Sequence, residues 1–220
     1  MILKRSQRFA KGRIIFLRIE CGMSDIFDGV DPILIAKKWL KEAEITEIND
    51  ANAMALASVD QEGCPNVRMV LLKEIESNAF IFYTNYNSVK ANEIVKSGNA
   101  AMVIHWKSLR RQVRVRGKIV KTSSDQANQY FVSRSLNSRY GAIASDQSKP
   151  LDSREILLRR VNEVAEQEGQ NPKRPENWGG FKIIPFEIEL WADGEDRLHD
   201  RFRYIFKSEE KKWSKQRLYP

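Results

Sequence analysis

Cysteine and histidine are scarce in this chain, with two of each among 220 residues. Cys21 and Cys64 cannot build a disulfide framework and have no paired metal-ligand spacing, which fits a reducing, cytoplasmic setting. So small a stock of thiolates and imidazoles argues against a catalytic zinc centre, and no metal is expected. Several phosphate and hydrolase signatures are also missing. No GxGxxG follows a strand, and there is no GxxxxGK[ST], HExxH or GxSxG. Long apolar runs are absent too. Ile14 to Leu17 is too short for a signal-peptide core, and no segment is long enough to span a membrane.

What remains is ordinary soluble-protein composition, 42% hydrophobic and 30% charged, in a chain long enough to bury a substantial core. The net charge of +8 is unevenly placed. Residues 1–22 hold six basic side chains against Glu20 alone, a net +5 of that total. The basicity therefore belongs mainly to an N-terminal arm, residues 1–25, expected to be disordered or an artefact of start-site choice, with an organelle address as the weaker alternative. No repeat, boundary or low-complexity linker divides residues 26–220, which read as one domain.

Asp31-Pro32 combines an N-cap with proline at the first helical position, and Ile35, Trp39, Leu40 and Ala43 recur at helical spacing, predicting a helix over 32–45. Short alternating runs follow at 53–59, 66–73 and 79–84, the first two joined by the turn DQEG. A helix over 88–97 ends at Gly98. A hairpin of 100–106 and 111–121 places Gln112, Arg114 and Arg116 on one face and Val113 and Val115 on the other. Helices are predicted over 124–134 and 152–168. Their starts carry capping-box spacing, Ser123 with Gln126 and Asp152 with Glu155, and SRYGAIASDQSKP lies between them. FKIIPFEIELW and RLHDRFRYIF then meet across ADGED, and WSKQRLYP ends the chain. Hairpins outnumber βαβ units, so the fold class is α+β: a mostly antiparallel barrel or curved sheet with flanking helices.

Candidate chemistry gathers at strand ends. Read as a strand, RLHDRFRY points Arg197, His199 and Arg201 to one side, where three cationic or protonatable groups repel each other unless an anion lies between them. Neutralisation by Asp196 and Asp200 on a wet surface is the alternative. Arg68 and Lys73 bracket the apolar MVLL, and Tyr83-Thr84 ends a strand just before a helix start at Ser88 that could bind an anion. Tyr130, Arg134 and Ser138 recur at four-residue spacing, as on one helical face. His105, between Ile104 and Trp106, reads as a half-buried structural histidine.

Taken in order, NAMALASVD, RMVLLK, FYTNYNS, RQVRVRG, YFVSR, SRYGAIASDQS, NWGGF, LWADGEDRLHDRFRY and RLYP resemble the pyridoxamine 5′-phosphate oxidase family, from about residue 26 to Pro220. The resemblance implies an FMN-binding split β-barrel and a homodimer with its sites at the interface. It implies oxidation of pyridoxamine and pyridoxine 5′-phosphates by O2 to pyridoxal 5′-phosphate and hydrogen peroxide, with no nucleic-acid or membrane partner. The implied FMN positions are Arg68, Met69, Val70, Leu71, Leu72 and Lys73, then Tyr83, Thr84, Lys90, Gln112, Gln147, Ser148, Trp191 and Arg201. Lys73, Tyr130, Arg134 and Ser138 match substrate-holding positions, the last three at its phosphate. Arg197 and His199 match the pair over the pyridine ring. One departure stands out: the family usually has an arginine just before the lysine of FYTNYNSVK, and here it is Val89. A lost charge-assisted contact of this kind is worth roughly 1.5–3 kcal/mol unless replaced. Two other readings remain: a flavin-reductase type of split-barrel protein with a different substrate, and a nucleic-acid binder using the basic arm.

Overall fold

The structure is a computed structural model that describes residues 26–220; the expectation for the basic arm falls outside them. Helix α1 (Pro32–Thr46) starts as its sequence predicts, with Asp31 Oδ1 accepting from Ile33 N at 2.9 Å and proline in the first turn. Its inner face carries Trp39, fully buried, whose indole N–H donates to Ile26 O at 3.1 Å. Phe27 packs edge-on to Trp39 and against Phe202, so the helix seals one end of the core.

Nine strands form one sheet in which every pairing is antiparallel. They are β1 (Ala53–Val59), β2 (Pro65–Leu71), β3 (Glu74–Ile75), β4 (Phe80–Asn85), β5 (Asn99–Trp106), β6 (Arg111–Lys121), β7 (Trp178–Ala192), β8 (Asp200–Lys207) and β9 (Lys212–Leu218). The path runs β2-β1-β5-β6-β7-β4-β3, with β8 and β9 continuing from β7. Because β2 leads directly into β3, the ends of that path meet where Lys73 N donates to Ile81 O at 2.8 Å. The sheet therefore curls into a split barrel. Alternate residues from Met54, Leu56, Met102, Ile104, Val113, Val115, Ile188 and Leu190 fill its interior, as period-two patterning requires. The curl is sharpened by a bulge between Arg116 and Gly117. A Cβ on Gly117 would lie 2.5 Å from Ile184 O, so only glycine fits there.

Helix α2 (Val89–Ser97) begins at Ser88, whose Oγ accepts from Ala91 N, and ends at Gly98 in the left-handed conformation. Helix α3 (Ser124–Ser133) is capped by Ser123 through Gln126 N. Three expectations need correction nearby. SRYGAIASDQSKP is not simply a connection: its first half belongs to α4 (Leu136–Ala144), capped by Ser135. Helix α5 (Arg154–Glu168) starts after Ser153, without a side-chain cap, so Asp152 has no capping role. Arg134 is the extended C-cap of α3, so Tyr130, Arg134 and Ser138 span two helices and not one face.

The segment RLHDRFRY also departs from its reading as a strand. Glu195–Arg197 is a single 3-10 turn, and β8 begins only at Asp200. Asp196 and Arg197 have φ of 52° and 65°, a left-handed pair that breaks strand alternation and removes Arg197 from the row containing His199 and Arg201. The C-terminal WSKQRLYP supplies most of β9.

Candidate active site

A cavity of about 630 Å³ opens where β2, β4, α3 and α4 converge. Its wall includes Met69, Val70, Leu71 and Lys73 from the β2 end, and Tyr83, Thr84 and Lys90 from β4 and α2. Tyr130, Arg134, Ser138 and Gln147 complete the far side. Eleven residues singled out from the sequence thus share one cavity.

One end is aromatic and cationic. The rings of Tyr83 and Tyr130 stack at 3.9 Å, and Trp178 lies parallel to Tyr83 at 5.6 Å. Gly180 pairs with Tyr83 across β4 and β7, and a Cβ there would meet the tyrosine ring at 2.8 Å; glycine lets the stack form. The Arg134 guanidinium sits 4.8 Å above the Trp178 ring. Its Nη1 is buried and finds no hydrogen-bond partner among the described residues. A buried guanidinium donor left open is costly unless an anion takes it. Burial lowers the Arg134 pKa, while the Tyr130 hydroxyl works in the opposite direction. Burial, with Glu74 next, pushes the Tyr83 hydroxyl up to about 12, so it stays a neutral donor.

The other end is a hydroxyl, amide and ammonium group. Lys90 Nζ donates to Gln147 Oε1 at 2.7 Å, Thr84 Oγ1 at 3.2 Å and Ser88 Oγ at 3.3 Å. Burial, then the neighbouring Arg68 charge, lowers its pKa; Glu93 pulls the other way. Val89, the departure from the family pattern, is the half-exposed first residue of α2.

Not every FMN-position residue presents its side chain to this cavity. Leu72 is buried in the core, and Ser148 (φ 73°) lies beyond the wall formed by Gln147. The guanidinium of Arg68 is held behind the wall by Leu56 O at 3.1 Å, Ser58 Oγ at 2.5 Å and Glu93 Oε2 at 3.1 Å. Glu93 was not singled out from sequence, although a carboxylate between Ala91 and Ile94 on the buried face of α2 is a readable signal. Burial would raise its pKa, but hydrogen bonds from Ser58 and Asn66 and the Arg68 charge outweigh it, and the net shift is downward. Trp178 was overlooked as a site residue as well. Its place in NWGGF, ahead of two glycines, is the signal.

A second group lies elsewhere. His105, Gln112, Trp191 and Arg201 pair in register across β5, β6, β7 and β8. His199 packs on Trp191 with centroids 4.7 Å apart. Its Nδ1 accepts from Gly194 N at 3.2 Å. Asp193, 3.3 Å from the same Nδ1, is paired with Arg110. Arg201 closes on Glu189 Oε1 through Nε at 2.9 Å and Nη2 at 2.8 Å, and Arg114 takes the other carboxylate oxygen. From Gly180, opposite Tyr83, to Trp191 is eleven residues of β7, about 35 Å of strand contour. One chain therefore carries two separated groups: the cavity, and the row with His199 and Arg197 beside it. Among the described residues no cluster of three or more His, Cys, Asp or Glu is placed to hold a metal, and no helix is long and apolar enough to cross a membrane.

Comparison with known proteins fits this geometry. Residues 40–168 match the family described as pyridoxamine 5′-phosphate oxidase, and residues 178–220 match the pyridoxine 5′-phosphate oxidase C-terminal dimerisation region. A pyridoxine/pyridoxamine 5′-phosphate oxidase of Ruegeria sp. (strain TM1040) is 59% identical over 201 residues, covering 90% of this chain and all of the relative. One from Cereibacter sphaeroides is 60% identical over 195 residues, covering 89% and 98%. Among solved structures, PhzG from Burkholderia lata 383, in complex with tetrahydrophenazine-1-carboxylic acid, superposes with a TM-score of 0.83 at 28% identity, covering 90% of this chain and 97% of that one. An FMN-binding, pyridoxamine 5′-phosphate oxidase-related protein from Nostoc punctiforme shares the fold, with a TM-score of 0.70 at 19% identity over 87% of this chain and all of that one. The chain belongs to the pyridoxamine 5′-phosphate oxidase family of oxidoreductases.

Proposed function

We propose that this protein is an FMN-dependent oxidase converting pyridoxamine 5′-phosphate and pyridoxine 5′-phosphate to pyridoxal 5′-phosphate, with O2 reduced to hydrogen peroxide. The observation that carries the reading is the cavity with two cationic ends. Lys90 with Thr84 and Gln147 lies at one, and the open Arg134 donor beside Tyr130 and Ser138 at the other. A ligand set with two separate phosphates fits that arrangement, and the volume lies in the usual range for small-molecule sites. The donor set suits FMN: Lys90, Thr84 and Gln147 would hold its phosphate, and Met69 to Leu71 would border the flavin.

When bound, FMN supplies the hydride acceptor and passes the electrons to O2. The chain's own residues bind and orient. Tyr130, Arg134 and Ser138 would hold the substrate phosphate, with Lys73 nearer the ring. The stacked Tyr83, Tyr130 and Trp178 shield Arg134 from water, which strengthens its grip on an anion. Arg197 and His199 would position the pyridine ring. Their distance from the cavity within one chain supports a site completed by a two-fold partner. That partner would bring Gln112, Trp191, Arg197, His199 and Arg201 to the cavity.

The test is oxidation of pyridoxamine 5′-phosphate against pyridoxamine, with peroxide measured. The expected result is phosphate-dependent turnover by flavin-loaded protein; a chain that FMN cannot reconstitute sinks the reading. Arg197→Ala should lower kcat/KM at least a hundredfold, about 2.7 kcal/mol, and still bind FMN. Unchanged turnover would remove Arg197 from the mechanism.

A further inference from the structure

Arg134 is held differently from arginines on the sheet. Arg68 closes on Glu93, Arg111 on Glu42, and Arg114 and Arg201 share Glu189. Arg134 makes no ion pair among the described residues, and its buried Nη1 has no hydrogen-bond partner there. No carboxylate lines the cavity it faces. What surrounds its guanidinium is aromatic: Cζ lies 4.8 Å from the Trp178 ring centroid and 5.9 Å from that of Phe131.

Trp178 is built as a fixed platform. It is buried at the start of β7, opposite Asn85 of β4. Both of its backbone polar groups are tied down. The N–H donates to Pro175 O at 3.1 Å, and the carbonyl accepts from Arg174 Nη1 at 2.5 Å. The ring lies within 12° of parallel to Tyr83, and Phe131 meets it edge-on at 5.2 Å. Close packing on these sides restricts the indole, and the cation over it inherits that order.

An aromatic anchor has a chemical consequence that a carboxylate does not. A carboxylate would occupy the guanidinium fork, and an incoming phosphate would have to displace it. It would also repel that phosphate directly. A π face attracts the cation through its quadrupole, leaves the fork open and adds no negative charge.

We propose that Trp178 is a positioning residue for the substrate phosphate: it holds Arg134 in place by cation–π attraction without neutralising it. The assignment rests on the oxidase reading and deepens it, since the anion concerned is the phosphate of that substrate. Trp178 acts through Arg134 and has no part in hydride transfer.

Steady-state oxidation of pyridoxamine 5′-phosphate by full-length, FMN-loaded protein tests the role, with inorganic phosphate as a competing inhibitor. Trp178→Leu is expected to raise KM at least tenfold, with kcat and FMN affinity within threefold of native. Inhibition by inorganic phosphate should weaken in parallel. Trp178→Phe keeps a π face and should recover most of the loss. A Trp178→Leu KM within twofold of native overturns the proposal, and so does a loss confined to kcat. Equal losses in Trp178→Leu and Trp178→Phe also overturn it, because they would mark packing and not cation–π attraction. Should Trp178→Leu fail to retain FMN, Trp178→Phe decides alone: its smaller π face should raise KM two- to fivefold at native kcat, and an unmoved KM is a refutation. Native protein inert toward pyridoxamine 5′-phosphate overturns the oxidase reading and this proposal with it. Active native protein with an unmoved Trp178→Leu KM overturns this proposal alone.

Discussion

Lys90 shows how one side chain's surroundings set a testable property of the site. Burial, reinforced by the positive charge of Arg68, lowers its pKa before any ligand enters. A phosphate beside it would favour the charged form and raise that pKa again. Binding FMN then takes up a proton wherever free Lys90 is already neutral, and affinity must fall as pH rises through the lowered value. A fluorescence titration of FMN binding from about pH 7 to about pH 10, the range over which lysines lose their proton, should show progressive weakening. A flat profile would mean that Lys90 does not touch the phosphate. Lys90, in the cavity wall, was legible in the sequence through its motif. The partners Thr84 and Gln147 came from the family pattern, but their convergence on Nζ depends on α2 and the residues after α4 meeting, which no local pattern reveals.

Between elements, the junction of β1, β2 and α2 depends on one buried carboxylate. Glu93 accepts from Ser58 on β1 at 2.5 Å, from Asn66 on β2 at 3.1 Å and from Arg68 on β2 at 3.1 Å. Glu93→Gln should cost about 2 kcal/mol at neutral pH, since hydrogen bonds to a buried charge are lost or weakened. The sign with pH is fixed by the direction of the shift. A carboxyl held below its unfolded value stabilises the fold above that value and loses the contribution as pH falls through the folded one. The gap between thermal melts of native and Glu93→Gln protein should therefore hold at neutral pH and narrow as pH falls below the ordinary glutamate value of about 4. A constant gap would show that the charge of Glu93 is not what matters. At this scale the strands were the most readable part of the chain. Alternation and turn residues predicted β1 and β6 with their observed bounds, since both bury one face in the barrel. The misreadings arose where backbone conformation overrides pattern. Two left-handed residues, Asp196 and Arg197, form a 3-10 turn with Glu195 and delay the expected strand to Asp200, and the short α4 had only the cap at Ser135 to announce it.

At the scale of the whole molecule, the separation of the two groups predicts how subunits share work. If each active site takes its cavity from one chain and Arg197 with His199 from the other, then Arg134→Ala and Arg197→Ala proteins are each inactive. Mixed and allowed to exchange subunits, they form hybrid dimers with one intact site. Random exchange should restore roughly a quarter of native activity, because half the dimers are hybrids. Recovery of none would place both groups' work within one chain. The order of motifs along the sequence was enough to imply a dimeric oxidase, but which residues share a cavity within one chain was not written in their spacing. Arg134 and Arg197 read as members of one site, yet within one chain only Arg134 lines the cavity.

The central claim, that the cavity brings a bound flavin and a phosphorylated pyridine ring into reaction, is tested most directly without oxygen. Pyridoxamine 5′-phosphate added anaerobically to the yellow, FMN-loaded protein should bleach the flavin absorbance, with about one pyridoxal 5′-phosphate formed per flavin by hydride transfer. Admitting air should then restore the colour and release hydrogen peroxide. A flavin that stays oxidised under saturating pyridoxamine 5′-phosphate and pyridoxine 5′-phosphate would contradict the account.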